Sequence, residues 1–370
     1  MLSPVLLAPA MTAPDLTPYL SQQTLVLAVS GGSDSLALLH LAHRAVSGSG
    51  NHSVRLVAVT IDHALRPESA SESRMVAQLC AALGIEHQTM VWSGDKPATG
   101  LAMAARLARH RLLAEAARSL GARVVLTGHT RDDQAETVLM RGQRGDGRGL
   151  AGIAPATLFE QEIWFARPLL HESRETLRDF LRGEGAGWID DPSNDNPAYE
   201  RVRWRQHIAG APDREAKVAE AIRIAEAAGR ARAEMAARIA ERIDAHAWLV
   251  DQRLNVDWAS LEKDDPAAAI ETLRVLLAVV GGAQQLPALD KTRQLVERLS
   301  RAGGRHSLAR VVVSRRSDRL SLVAERRTGA PLPPAPTSPW AHFLPSFDLE
   351  AARAVARLLG LSPLPALPGT

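Results

Sequence analysis

From residue 24 to about residue 208, short apolar runs alternate with stretches whose apolar residues recur at helical spacing. The runs TLVLAV (24–29), VRLVAVTI (54–61), EHQTMVW (86–92), RVVLTG (123–128) and IWFARPLL (163–170) predict five strands. The segments between them, such as LALLHLAHRAV (36–46), predict amphipathic helices. Strand and helix in alternation are the pattern of a parallel sheet covered by helices, so the fold class is α/β with an open parallel sheet. Ligands of such sheets collect beyond the carboxyl ends of the strands. Three segments are therefore expected to converge: residues 30–35, Asp62 with His63, and Gly128 with His129.

The pattern changes near Ala209-Gly210-Ala211-Pro212. Residues 215–249 read as one long amphipathic helix, and residues 266–280 and 289–300 as two more. VVVSRRSDRLSLVAE (311–325) reads as a hairpin about Ser317 and Asp318. TGAPLPPAPTSP (328–339) is a Pro-rich linker, followed by one short helix near 349–359. The expected organisation is an N-terminal extension (1–20), a nucleotide-binding domain (21–209), a second, mainly helical domain (210–328) and a Pro-rich tail (329–370).

Composition adds exclusions. At 370 residues and 46% hydrophobic content the chain can bury two ordinary cores. Its one cysteine, Cys80, leaves no disulfide framework and no CxxC pair. Pro4, Pro9, Pro14 and Pro18 interrupt the apolar N-terminal stretch, which argues against a signal peptide. No window approaches a membrane-spanning length, so the expectation is a cytoplasmic protein with no membrane partner. Net charge is only +3, yet four of the 44 basic residues are lysines (Lys96, Lys217, Lys263, Lys291), and the rest are arginines.

The first candidate for chemistry is Ser30-Gly31-Gly32-Ser33-Asp34-Ser35, set between the first strand and the first helix. Two glycines let the backbone approach phosphate oxygens, the serines donate, and the opening helix adds its positive end. No Gly-Lys-Ser/Thr triplet follows and no GxGxxG is present, which excludes Walker and dinucleotide loops. Asp34 beside a triphosphate would be repelled unless it held Mg2+ or a loop amide; alone, it would simply favour the helix N-terminus.

The second is GHTRDDQAET (128–137), where Asp132, Asp133 and Glu136 crowd one helical turn. Such crowding needs a counter-cation: a metal, a cationic substrate, or arginines such as Arg131 or Arg141. The third, DHALRPES (62–69), joins a carboxylate, an imidazole and a guanidinium after strand two, or is an ordinary polar turn. The fourth is DDPSNDN (190–196) with Tyr199, Trp204, Arg201, Arg203 and Arg205, either an exposed basic segment or a phosphate-binding surface for RNA.

With these segments goes the helix ARLARHRLL (105–113), then RGDGRGLAGI (144–153) and RPLL (167–170). In this order they make the chain similar to the tRNA(Ile)-lysidine synthases, within the PP-loop ATPases, over about half its length. The resemblance implies a Rossmann-like PP-loop domain and the cofactors ATP and Mg2+. ATP adenylates the C2 oxygen of the wobble cytidine of an isoleucine tRNA, and free L-lysine then displaces AMP. It assigns ATP binding to Ser30, Gly31, Gly32, Ser33, Asp34, Ser35, Asp62 and His63, metal to Asp34, lysine to Asp133 and Glu136, and tRNA to Arg201, Arg203 and Arg205. Asp34, His129, Arg106 and Asp133 form the expected catalytic set, with Arg109 beside them. The resemblance makes 210–328 a helical tRNA- or substrate-binding domain; a homodimer is carried as a further expectation, and a large additional C-terminal domain is expected to be absent. His110, Asp146 and Val202 depart from the family's usual tyrosine, serine and asparagine. The rivals are tRNA thiolation, which the single cysteine disfavours, and a non-catalytic RNA-binding module.

Overall fold

The computed structural model describes residues 14–49, 53–65, 68–143, 145, 147–190, 196–198, 200–251, 253–263, 265–283, 285–325 and 348–367. Arg66, Pro67, Asp146, residues 191–195, Tyr199, most of the N-terminal extension and the Pro-rich linker lie outside the described residues. The chain divides into two compact units. One comprises Met1–Ala156, Ile163–Glu226 and Ala366–Thr370, the other Thr157–Glu162 and Ala227–Pro365.

The first sheet is built from β1 (Thr24–Ala28), β2 (Arg55–Asp62), β3 (Glu86–Val91), β4 (Val124–Thr127), β5 (Ala156–Phe159) and β6 (Ile163–Ala166). With them run α1 (Ser33–Gly48), α2 (Ser69–Ala82), α3 (Leu101–Ser119), α4 (Arg131–Gly142), α5 (Arg174–Gly183), α6 (Glu200–Ala209) and α7 (Arg214–His246). Strand order is β3-β2-β1-β4-β6-β5, and β1 pairs in parallel with β2 on one side and β4 on the other. Leu25, Val26, Leu27, Val57, Ala58, Val59, Val125 and Leu126 are fully buried. That is why these strands read as continuous apolar runs rather than alternations. The order reverses between β1 and β4, so a crevice opens beyond their carboxyl ends.

Two glycines make that crevice. A methyl on Gly128 would stand 2.7 Å from the carbonyl oxygen of Asp34, so the end of β4 can approach the start of α1 only without a side chain. Gly31 has φ +82°, and a methyl there would stand 2.8 Å from Ile189 Cδ1, while its carbonyl accepts the Ile189 N–H at 2.9 Å.

The sequence reading joined 163–170 into one strand, but β6 ends at Ala166, before Pro168. Its neighbour β5 precedes a turn in which Glu160 and Gln161 both take positive φ, 49° and 60°. A primed turn made without Asn-Gly or Asp-Gly carries no hairpin signal in the sequence.

The second unit includes β7 (Ala247–Val250), β8 (Arg253–Asp257), α8 (Trp258–Lys263), α9 (Pro266–Gly281), α10 (Leu289–Ala302), β9 (Gly304–Leu308), β10 (Val311–Arg316), β11 (Arg319–Ala324) and α11 (Leu349–Leu358). α9, α10 and α11 stand where periodicity put them, and the 311–325 hairpin is β10 with β11. The long helix expected to reach residue 249 ends at His246, where pairing with β8 turns the apolar end of that reading into β7, and the short α8 is not among the expected helices. The structure adds a five-stranded antiparallel sheet, β7-β8-β11-β10-β9, of which that hairpin is only part. β9 buries no residue, so it has no hydrophobic alternation to read; only pairing with β10 makes it a strand.

Gly128→Ala is expected to lose about 1–3 kcal/mol of stability to overpacking, measured by chemical denaturation. Gly183→Ala, whose added methyl meets nothing within 4 Å, serves as the neutral control.

Candidate functional site

The crevice continues into a cavity of about 920 Å³. Residues of the 30–35 turn line it, with Arg106 and Arg109 of α3, Gly128 and His129 after β4, and the carboxylates of α4. Arginines of α5 and α6 line it too, with Ile189, Asp190 and, from α7, Arg214 and Val218. The turn is fastened from within: the Ser35 hydroxyl donates to the Gly32 carbonyl at 2.9 Å and accepts the Ser30 N–H at 3.1 Å. That leaves the N-terminal amides of α1 directed outward as anion donors.

The Asp34 carboxylate accepts the Ser33 hydroxyl at 3.0 Å and lies 3.2 Å from Arg174 Nε. Burial raises its pKa, against the opposing pull of Arg174.

The three acids of α4 divide their work. Asp132 accepts the Arg174 backbone N–H at 2.8 Å and pairs with Arg214 at 3.2 Å, so it ties α4 to the start of α5. Asp133 closes a capping box with Thr130, taking the Thr130 N–H at 2.9 Å on one oxygen. Its other oxygen receives Arg174 and Arg201, each at 3.1 Å. Glu136 is 2% exposed, and its oxygens take Arg201 Nε and Arg205 Nε at 2.8 Å each, with Arg174 at 3.5 Å.

The counter-cations are therefore Arg174, Arg201, Arg205 and Arg214. The expected Arg131 and Arg141 are engaged elsewhere: Arg131 pairs with Glu215 at 3.1 Å, and Arg141 donates to the Gly152 carbonyl at 2.9 Å. Position in the chain could not reveal this, because the charge partners arrive from three later helices, α5, α6 and α7. Arg174 was missed altogether. Its one sequence signal is local: it follows the N-cap Ser173, at the positive end of a helix, where a cation is unfavourable without carboxylates nearby.

Of the other expected residues, His129 lines the cavity, and burial followed by Arg167, Arg109 and Arg106 holds its imidazole well below the usual pKa. Its Nδ1 lies 3.0 Å from the Thr127 hydroxyl, which itself donates to the Ala166 carbonyl at 3.3 Å. Nδ1 is then the protonated nitrogen, and Nε2 is free to accept. Arg106 and Arg109 are lowered in pKa by desolvation and then by neighbouring guanidinium groups.

Asp62 and His63 do not line the cavity. Asp62 accepts the Ala64 N–H at 2.7 Å, an Asx-type turn, and hydrogen bonds from Ser69 and Ala64 lower its pKa. His63 meets Trp92 edge-on at 6.0 Å, and burial lowers its pKa. Arg203 points away from the acids and donates to the Pro197 and Ala198 carbonyls at 2.8 and 3.1 Å. Cys80 is fully buried, and that burial pushes its thiol up to about 11, so it offers no thiolate near neutral pH.

Residues 10–211 match the family described as PP-loop domain. The tRNA(Ile)-lysidine synthase of Mesorhizobium japonicum is 40% identical across 93% of this chain and 94% of its own length. That of Rhizobium meliloti is 42% identical across 84% and 69%. Among solved structures, the U34-tRNA thiolase NcsA from Methanococcus maripaludis aligns with 55% of this chain and 72% of its own, at TM-score 0.45 and 16% identity. Among the described residues, no helix is long and apolar enough to cross a membrane.

Two outcomes follow from the charges. Arg174→Gln leaves the buried carboxylates with fewer partners and is expected to cost about 3–5 kcal/mol, read from denaturant midpoints at pH 7. Burial, and then the nearby Arg106, Arg109 and Arg167, hold His110 at about 4 rather than 6.5. Between those values the unfolded chain binds the extra proton, so stability falls as pH drops through the window. His110→Tyr, which keeps a ring against Phe165, is expected to flatten that acid slope in urea titrations between pH 7 and 4.5.

Proposed function

The chain belongs to the PP-loop tRNA(Ile)-lysidine synthases, and from that premise we propose how its cavity forms lysidine on an isoleucine tRNA with ATP. ATP lies with its β and γ phosphates on the amides and hydroxyls of residues 30–35. The C2 oxygen of the wobble cytidine attacks the α phosphorus; the bond to the bridging oxygen breaks, and diphosphate leaves into that cradle. The ε-amine of free L-lysine then attacks C2, the C2–O bond breaks, and AMP departs. The nitrogen's proton passes to a carboxylate of the acidic pair.

One observation carries this reading: Asp133 and Glu136 open into the same cavity as the phosphate turn and already hold cations there. Arg201 and Arg205 occupy the place a lysine ammonium would take. Phosphates of ATP and tRNA give those two guanidinium groups alternative acceptors, which frees the carboxylates once both are bound. Arg201 and Arg205 thus contact tRNA from inside the pocket, and Arg203 from its rim. Arg106, Arg109 and neutral His129 face the charge that develops on the adenylated base.

Mg2+ usually takes one or two carboxylates, with phosphate and water oxygens completing its shell. Asp34, the carboxylate of the phosphate turn on the cavity wall, would take that role once Arg174 turns to phosphate. Bound there, the ion would offset the charge of the phosphates.

Glu136→Gln is the cleaner test of the pair, because Asp133 also caps α4. The variant is expected to raise the KM for lysine at least tenfold while tRNA-dependent diphosphate release from ATP persists. Equal loss of both would mean that the acid serves the nucleotide instead. In the native protein, omitting tRNA should abolish diphosphate release, whereas omitting lysine should leave a single turnover.

A further inference from the structure

Arg178 enters the cavity from α5, one turn after Arg174, and Arg182 follows one turn later. That spacing lines their guanidinium groups along one side of the helix, beside the buried stripe of Leu177 and Leu181. Arg174 is closed in by the carboxylates of Asp34, Asp133 and Glu136. Arg178 is not. Its Nη2 lies 3.1 Å from Asp190, whose side chain is 75% exposed, and its Nε donates to the Ser33 hydroxyl oxygen at 3.4 Å. An ion pair so open to water is weak and exchanges readily. Glu175 also lines this side of the cavity and is exposed, while Arg182 pairs with Asp179, both more than half exposed.

Ser33 opens α1, and the N-cap before it is Gly32, which has no side chain to satisfy the leading amides. A guanidinium held against the positive end of a helix is unfavourable unless an anion joins them. Asp34, the acid of that first turn, is already engaged by Arg174. Trp188 steadies the arrangement: Arg178 and Arg182 lie 5.5 and 5.7 Å from its ring centroid. The Ile189 N–H fastens the indole's segment to the Gly31 carbonyl at 2.9 Å, so the cations keep their place beside the phosphate turn. A Walker loop carries its own lysine for terminal phosphates, whereas residues 30–35 have none. A guanidinium fork at the turn's edge supplies that charge.

We propose that Arg178 is a ligand for the terminal phosphates of ATP and for the diphosphate they become, giving up Asp190 for that anion. This role rests on the reading of the phosphate turn given above and adds to it a cation from outside the turn.

The test uses the full chain in Mg2+ buffer, with affinities for inorganic diphosphate, ATP and AMP measured by isothermal titration calorimetry. Arg178→Gln is expected to weaken diphosphate and ATP about tenfold and to leave AMP, which lacks those phosphates, within about twofold of native. Arg178→Lys, which keeps the charge, recovers part of the loss. Asp190→Asn removes the competing anion and is expected to tighten diphosphate binding. A loss in Asp190→Asn as large as in Arg178→Gln would overturn the role, because the pair would then simply hold the 188–190 segment. So would an equal loss for AMP, the mark of a site disturbed as a whole. Native diphosphate affinity in Arg178→Gln would also overturn it, and a fall in tRNA affinity alone would assign the arginine to the nucleic acid instead. If the native chain binds diphosphate through Arg178 but forms no lysidine, the phosphate site stands and the functional reading falls.

Discussion

Two buried carboxylates on one turn of α4 must be neutralised, and the local structure of the first unit follows from how that is done. Asp133 is 9% exposed and Glu136 2%. Charges so far from water persist only when paired and hydrogen-bonded. Arg174, Arg201 and Arg205 satisfy them from α5 and α6, and Asp132 secures the arrangement by holding the first amide of α5. Arg174 also reaches Asp34, so one guanidinium links the phosphate turn to the acidic pair. The two halves of the site therefore cannot be charged independently: a polyanion arriving at one side changes the electrostatics of the other.

Backbone proximity is the second constraint. A ligand crevice at the reversal of strand order needs β1 and β4 to end side by side, with the following helix starting at once. Gly128 permits that by lacking a β carbon where the Asp34 carbonyl stands. Gly31 permits the turn and carries the backbone bond to Ile189 that fastens the 188–190 segment beside it. The serines of this turn do two jobs: Ser35 and Ser30 are partly spent holding the loop, and Ser33 orients Asp34. Presenting amides to an anion in this way costs little reorganisation when the ligand arrives.

Around the acids lies a surplus of cations. Burial, and then the crowding Arg167, Arg109 and Arg106, hold His129 well below the usual imidazole range, and burial holds Arg167 down to about 10. Packing cations this closely is unfavourable in isolation. It is tolerable if the cavity takes the nucleoside triphosphate and nucleic acid proposed for it, because the missing negative charge comes with them.

By itself the sequence determined the order and kind of the first unit's elements, the phosphate turn and the membership of the acidic cluster. Each of these is a local signal: short continuous apolar runs between stretches of helical period, glycines where the chain must turn, carboxylates within one helical turn of each other. It also placed the longer helices of the second unit, though not α8 or the switch from helix to strand at Ala247. Tertiary structure alone decided which arginines serve the acids, since Arg174, Arg201 and Arg205 lie 41, 65 and 69 residues from their carboxylate partners. It alone decided that Arg203 turns away although its neighbours at even spacing turn in, because a helix rotates successive residues by a period that strand-like alternation does not share. It alone completed the five-stranded sheet, where β9 has no buried residue to announce it. Local patterns are written in neighbouring residues, whereas a counter-charge or an edge-strand partner is chosen by distance in space, and that distance exists only once the chain has folded.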